Sequence, residues 1–356
     1  MIVVVGASGV IGRAAAERFA AGGWDVVGVS RRSPDLPGVR HLPLDLTDPA
    51  SCAAELGRLG EVTHLVYAAM SEAPGLVAGW RDRSLMEANL AMFANAMDPL
   101  VAAGELRHVS LLQGTKAYGV HLGAADVPVP VKERLPRHDH DNFYFLQEDH
   151  LRTLAERAGF AWTVWRPQVV YGRSFGSPMN LLPAIGAFAA ITADLGEPLC
   201  FPGGADRVSE AIDAELLAEA LDWATDHAAA SNEVFNITNG DVFVWRHVWP
   251  AIAAALGVDA GPDRPRSLAT EMPALADRWA TIVDRHGLTS PRDLGAFVGD
   301  SFVYADMLFG FGQQASPMPV LSSTIKLRQA GFGSCLDTED MFVRWFRRFR
   351  EEGLLP

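Results

Sequence analysis

The chemistry available to this chain is easiest to see in a scarce lysine and a well-placed tyrosine. Only three of its 30 basic residues are lysines, Lys116, Lys132 and Lys326, and there are five tyrosines, Tyr67, Tyr118, Tyr144, Tyr171 and Tyr304. Lys116 stands in Ser110-Leu111-Leu112-Gln113-Gly114-Thr115-Lys116-Ala117-Tyr118, just beyond the carboxyl end of a predicted strand. That is where open α/β sheets place their ligands. An ammonium there can hydrogen-bond a ribose hydroxyl and lower the pKa of a nearby phenol; the plain alternative is a surface lysine. Tyr144 opens a predicted helix in Asn142-Phe143-Tyr144-Phe145-Leu146-Gln147-Glu148-Asp149 and is the first choice as proton donor. Tyr67 belongs to a strand, and Tyr304 is remote, in an aromatic patch with Phe297, Phe302, Phe309 and Phe311.

A second constellation is Gly6-Ala7-Ser8-Gly9-Val10-Ile11-Gly12, which follows one apolar run and opens an alanine-rich one. Glycines at this spacing let a backbone turn tightly and approach a pyrophosphate at a helix N-terminus, so Gly6, Ser8, Gly9, Val10, Ile11 and Gly12 are predicted to bind a dinucleotide. A glycine turn without a ligand is the alternative. After the second strand an NAD-specific protein usually places Asp or Glu against the ribose 2′-hydroxyl. Here the chain reads Ser30-Arg31-Arg32, two guanidiniums suited to a 2′-phosphate, and NADPH is the expected cofactor. By position, Asp45 and Leu46 flank the adenine, and Ala68 and Ala69 let the cofactor lie close to the next strand.

Elements must hold these residues in place. The first half alternates β-branched runs, at Ile2 to Val5, Asp25 to Val29, His64 to Val66, His108 to Leu112 and Trp162 to Trp165, with helical stretches at Ile11 to Ala21, Arg83 to Met97 and Phe145 to Arg157. This is the pattern of βαβ units and predicts an α/β, Rossmann-type doubly wound parallel sheet. Residues 1–172 form the expected dinucleotide-binding domain and 173–356 a smaller substrate-binding portion, with 208–245 returning to the first core. In the second part the spacing predicts an apolar helix at Leu181 to Ala193, a helix at Ala211 to Trp223, a strand at Val234 to Ile237 and a helix at Trp245 to Leu256.

The GTKxY segment, the NFYxxQED segment, the strand ending Arg166-Pro167 with Gly172 following, and Ser177-Pro178-Met179-Asn180 together resemble the progesterone 5β-reductase/iridoid synthase family of short-chain dehydrogenases. Most short-chain dehydrogenases carry YxxxK, whereas four residues after Tyr144 stands Glu148. In the family it resembles, the lysine has moved to the GTK segment, so the resemblance implies Lys116 and Tyr144 as the catalytic pair. With their positions at the sheet's carboxyl edge, it also assigns Gln113, Val170, Ser177 and Met179 to the cofactor. The tail, Lys326 to Gly331 and Phe342 to Trp345, is similar to the family's closing segment. Phe145 departs from the second tyrosine or tryptophan of many members. Trp165 replaces their histidine before Arg-Pro, which is expected to reshape the wall near the cofactor.

The implied reaction is 1,4-addition of hydride from NADPH to an enone or enal, with Tyr144 and Lys116 stabilising the enolate. The same pair suits 1,2-reduction of a ketone or aldehyde, and a non-catalytic NADP(H)-binding regulator is the alternative from another class. The expected partner is a small hydrophobic carbonyl substrate, bound between the Leu181 to Ala193 helix and the aromatic patch unless both are ordinary core. A net charge of −13 argues against nucleic acid. The longest apolar stretch, interrupted by Pro183, is too short to span a membrane. Three dispersed cysteines, Cys52, Cys200 and Cys335, fit a reducing cytoplasm. His138-Asp139-His140-Asp141 lacks a third ligand at a telling spacing, so no metal is assigned. Glu148 and Asp149 are read as carboxylates favoured by a helix N-terminus. A homodimer is left open.

Overall fold

The computed structural model describes the chain from Met1 to Pro356 except residues 74–75 and 124–126. In chain order the strands are β1 (Ile2–Val5), β2 (Val26–Ser30), β3 (Val39–Pro43), β4 (His64–Tyr67), β5 (His108–Leu112), β6 (Ala161–Pro167), β7 (Val169–Tyr171), β8 (Val208–Ser209), β9 (Ala211–Asp213), β10 (Glu233–Ile237) and β11 (Phe243–Val244). The helices are α1 (Val10–Ala21), α2 (Pro49–Leu56), α3 (Arg83–Ala103), α4 (Phe143–Ala158), α5 (Leu181–Asp194), α6 (Ala214–Asp226), α7 (Trp245–Leu256), α8 (Leu268–Glu271), α9 (Ala276–His286), α10 (Leu294–Val298), α11 (Ser301–Leu308), α12 (Ile325–Gln329) and α13 (Thr338–Glu351).

Seven strands form one parallel sheet in the order β10-β6-β5-β4-β1-β2-β3. The chain winds outward from β1 in both directions, so a crevice opens at the carboxyl ends of β1 and β4, where the strand order reverses. Every residue of β1, β2, β4 and β5 is buried, as expected of a parallel sheet covered on both faces. One face is closed by α2, α3 and α4 over Phe93, Met97, Leu151 and Leu154, the other by α1 and α6 over Ala15, Ala16, Phe19, Leu217 and Leu221. Each fully buried Leu or Phe in these layers contributes roughly 1.5–3 kcal/mol.

β10 and α6 reach this sheet only after the chain has left it. Between β7 and β9, which pair with each other, runs α5, and after β10 come α7 to α13. These build a second core rich in rings: Trp245, Trp249, Phe309 and Phe342 meet edge-on or tilted, and Trp279 stacks on Phe297 with centroids 4.7 Å apart. The edge strand β10 is fastened by side chains, with Glu133 accepting the Asn236 N–H at 2.9 Å and Lys326 donating to the Val234 carbonyl at 2.9 Å.

Three local features differ from the expected elements. The helix starting at Arg83 continues through Pro99 to Ala103 and stops at Gly104. Packing on α2 and α4 outweighs the proline's missing hydrogen bond. Ala211–Asp213, expected as helix, is the strand β9; the helix starts after Asp213, whose carboxylate accepts the N–H groups of Glu215 and Leu216. The whole of Leu181–Thr192 is buried as core, so α5 does not wall a substrate pocket.

Candidate active site

The crevice is a cleft of about 620 Å³. One end is made of backbone. β1 turns at Gly6, whose φ of +88° suits glycine, and any side chain there would strike the Ala68–Ala69 peptide. Gly12 lies beneath the turn: a Cβ would sit 2.2 Å from the Gly6 carbonyl oxygen. The N-cap of α1 is Gly9, with no side chain to cap the first amides, so these are left for an anion. Arg31 and Arg32 line the same end, and neither guanidinium is held by a carboxylate among the described residues. Asp45, across from them, is engaged by the Thr47 N–H and hydroxyl, which hold its carboxyl below the usual range. A glycine cradle, uncapped amides and free guanidiniums fit a dinucleotide.

Gly6, Ser8, Gly9, Val10, Ile11, Ser30, Arg31, Arg32, Asp45, Leu46, Ala68, Ala69, Gln113, Val170, Ser177 and Met179 all line the cleft, as do Lys116 and Tyr144. Gly12 does not: its part is the close packing of α1 beneath the turn.

The other end is made of side chains. Tyr144 sits in the first turn of α4, where Asn142 caps the helix by accepting the Tyr144 N–H at 3.0 Å and donates to the Lys116 carbonyl at 2.9 Å. One asparagine thus ties the two segments together. Burial, then the charge of Glu72 and the neighbouring Tyr304, push the Tyr144 phenol above its ordinary value. The expected lowering by lysine is absent because Lys116 is turned to a different partner. Its ammonium donates to Glu72 at 3.1 Å and lies 4.1 Å from the Trp80 ring, and the Trp80 indole N–H holds the other Glu72 oxygen at 3.1 Å. Burial lowers the Lys116 pKa and Glu72 opposes that shift.

Glu148, at the usual lysine position, lies beyond the first turn of α4 and is buried among arginines, so the expected helix-terminus role is corrected. Burial pulls its pKa up, but Arg152, Arg166 and Arg137 together hold it below the ordinary value. Arg166 also donates to Gln113, whose amide donates to the Tyr144 carbonyl at 2.9 Å. Where a YxxxK helix has a catalytic ammonium, this chain has a carboxylate that anchors the tyrosine's backbone.

Two cleft residues escape a reading by spacing. Glu72 lies in the loop after β4, and Tyr304, dismissed above as remote, lines the cleft from α11. Of their aromatic neighbours, Phe297, Phe302 and Phe309 are core. Trp165 also departs from expectation: it is fully buried against Phe235 and is not among the residues that line the cleft whose wall it was expected to shape. Tyr118 points to Asn236, donating at 2.6 Å. The rings of His121, His138 and His140 cluster beside Phe145, yet among the described residues no three His, Cys, Asp or Glu side chains are arranged to hold a metal ion. Among the same residues no helix is long and apolar enough to cross a membrane.

Comparison with known proteins agrees with this geometry. A family model described as the PRISE-like Rossmann-fold domain matches residues 51–356. An (S)-8-oxocitronellyl enol synthase of Nepeta cataria is 31% identical over 99% of this chain and 92% of its own length. A 3-oxo-Δ(4,5)-steroid 5β-reductase of Arabidopsis thaliana is 29% identical, with 99% and 92% covered. Among solved structures, a UDP-glucose 4-epimerase of Thermotoga maritima with UDP-glucose superposes with a TM-score of 0.68 at 17% identity, covering 98% of each chain. One of Thermus thermophilus with NAD does so at 0.64 and 19% identity, covering 97% of this chain and 98% of its own. These two likenesses concern the fold.

Proposed function

The chain belongs to the PRISE-like Rossmann-fold family, and from that premise we propose that it is an NADPH-dependent reductase of the activated carbon–carbon double bond of an enone or enal. One observation carries the reading: a dinucleotide turn, the Tyr144 phenol and the Lys116 side chain, ion-paired with Glu72, share one cleft. The dinucleotide, when bound, supplies hydride. Gly6, Ser8 and Gly9 with the first amides of α1 hold its pyrophosphate, and Arg31 and Arg32 select the 2′-phosphate.

As hydride adds at the substrate's β-carbon, negative charge moves to the carbonyl oxygen. Tyr144 donates its hydroxyl proton in a hydrogen bond to that oxygen; its raised pKa keeps the proton available throughout the neutral range. Lys116 adds positive potential, and Glu72 helps it remain an ammonium despite burial. The α-carbon then takes its proton from Tyr144 or from solvent. The substrate in this reading is a small, largely apolar carbonyl compound, and the site of action the reducing cytoplasm.

The test is NADPH oxidation with 2-cyclohexen-1-one, 8-oxogeranial and progesterone, with products identified by mass spectrometry. Saturated carbonyl products are expected. Allylic alcohols instead would replace 1,4-reduction with 1,2-carbonyl reduction by the same pair.

A further inference from the structure

The three lysines of this chain are not scattered. Lys116 lies in the cleft, whereas Lys132 and Lys326 both line a second cavity, of about 500 Å³, beside the sheet's edge strand β10. Arg134 and Arg152 line it too, so four cationic residues stand against two acidic ones, Glu133 and Glu233, in a chain whose net charge is −13. This cavity and the cleft share no lining residue.

Both carboxylates are already engaged. Glu133 accepts the Asn236 N–H at 2.9 Å, and Glu233 pairs with Lys326 at 2.6 Å. Lys326 also donates to the Val234 carbonyl, so side chains occupy main-chain groups of β10 that an added peptide strand would need. What is left over is donors. Among the described residues no ion pair or side-chain hydrogen bond holds the Lys132 ammonium or the Arg134 guanidinium. Asn232 spends its amide oxygen on the Trp162 N–H at 3.3 Å, which leaves its amino group free, and the Ser323 hydroxyl and Gln329 amide are likewise unpartnered among these residues. Arg152 is fixed behind them, donating twice to Glu148 at 3.1 and 2.7 Å with its guanidinium 4.2 Å from the Trp162 ring.

We propose that this cavity binds a small phosphorylated polyol, its phosphate on Lys132 and Arg134 and its hydroxyls on Asn232, Ser323 and Gln329. An ammonium and a planar guanidinium both donate well to phosphate oxygens, and unpaired cations in a concave surface draw anions to it. The volume falls within the roughly 300–1,000 Å³ of small-molecule sites. Val234 and Ile325 are the only apolar residues of the described lining, and it contains no aromatic ring, which excludes a hydrophobic carbonyl compound or a stacked base as the occupant. The site stands independently of the reductase reading.

Calorimetry in the presence of NADPH, which fills the other phosphate-binding end, compares glucose 6-phosphate, glycerol 3-phosphate, glucose and inorganic phosphate. At least one of the two phosphate esters is expected to bind about tenfold more tightly than inorganic phosphate, and glucose not to bind. Lys132→Gln and Arg134→Gln are each expected to weaken the ester about tenfold; neither side chain holds another part of the fold, so both proteins should fold as wild type. Ser323→Ala with Gln329→Ala should erode the preference over inorganic phosphate severalfold. Replacing Arg31 and Arg32 by Gln should leave ester binding unchanged. The proposal is overturned if neither ester binds, if glucose binds as well as its phosphate, if the Lys132 and Arg134 variants keep wild-type affinity, or if binding is lost with Arg31 and Arg32 instead. Esters that bind no better than inorganic phosphate would overturn the polyol part.

Discussion

The two ends of the cleft are made of different material. The dinucleotide end is main chain: a glycine with φ of +88°, a second glycine packed beneath it, and uncapped amides at the start of α1, all within a few residues of β1. The substrate end is side chains drawn from segments far apart: Glu72 after β4, Lys116 after β5, Tyr144 on α4 and Tyr304 on α11. A main-chain site changes little when single side chains vary, because the turn itself is the binding surface. A side-chain site can be retuned one residue at a time, which suits the end that must tell substrates apart.

That contrast can be broken by experiment, and the largest effect belongs to the side-chain end. Tyr144→Phe removes the proposed donor to the developing oxyanion and is expected to lower kcat about 10²–10³-fold. NADPH titration should remain near wild type; full activity would remove Tyr144 from the mechanism. At the main-chain end Gly12→Ala forces a Cβ against the Gly6 carbonyl. It is expected to cost roughly 1–3 kcal/mol of stability, read by denaturant unfolding, and to weaken NADPH binding with it. Unchanged NADPH affinity in a folded Gly12→Ala protein would show that the turn tolerates substitution. Replacing Arg31 and Arg32 together by Gln should, on the proposed function, cost about tenfold in NADPH affinity while NADH is spared.

The smallest effect sharpens the comparison through pH. Glu72 raises the pKa of both Lys116 and Tyr144, so removing its charge lets both fall. In Glu72→Gln the alkaline limb of the kcat/KM profile should therefore move to lower pH, with the acid limb in place. An alkaline limb that does not move would show that neither group limits the rate.

The same contrast explains what could be read from sequence. Gly6 to Gly12, the strands and Arg31-Arg32 are local signals, because a backbone conformation or a strand end dictates the residue types there. Tyr144 and Lys116 stand just past element boundaries, but it is the resemblance carried by the GTK and NFY segments that pairs them, and both line the cleft. Tyr304 and Glu72 carry no such signal: one looks like part of an aromatic core and the other like an ordinary loop carboxylate, and only the packing of α11 and the β4 loop around one cleft brings them together. Glu148 was misread for a related reason, since its partner Arg166 lies on β6 across the fold. At Ala211–Asp213 the capping aspartate marked the true helix start, but the alanine-rich run after it masked the three-residue strand before it.

The late return of α6 and β10 to the sheet also sets an order of events during synthesis. A nascent chain that has emerged through β7 holds six of the seven strands of the main sheet, but β6 has an open edge and the alanine face of α1 lies bare. Both gaps are filled by residues 214–237, after α5 has been made. The dinucleotide half therefore cannot finish folding on the ribosome as a separate unit. It must stay unfinished, with a sticky flank, until a stretch of the second half has been translated, so the two halves mature together.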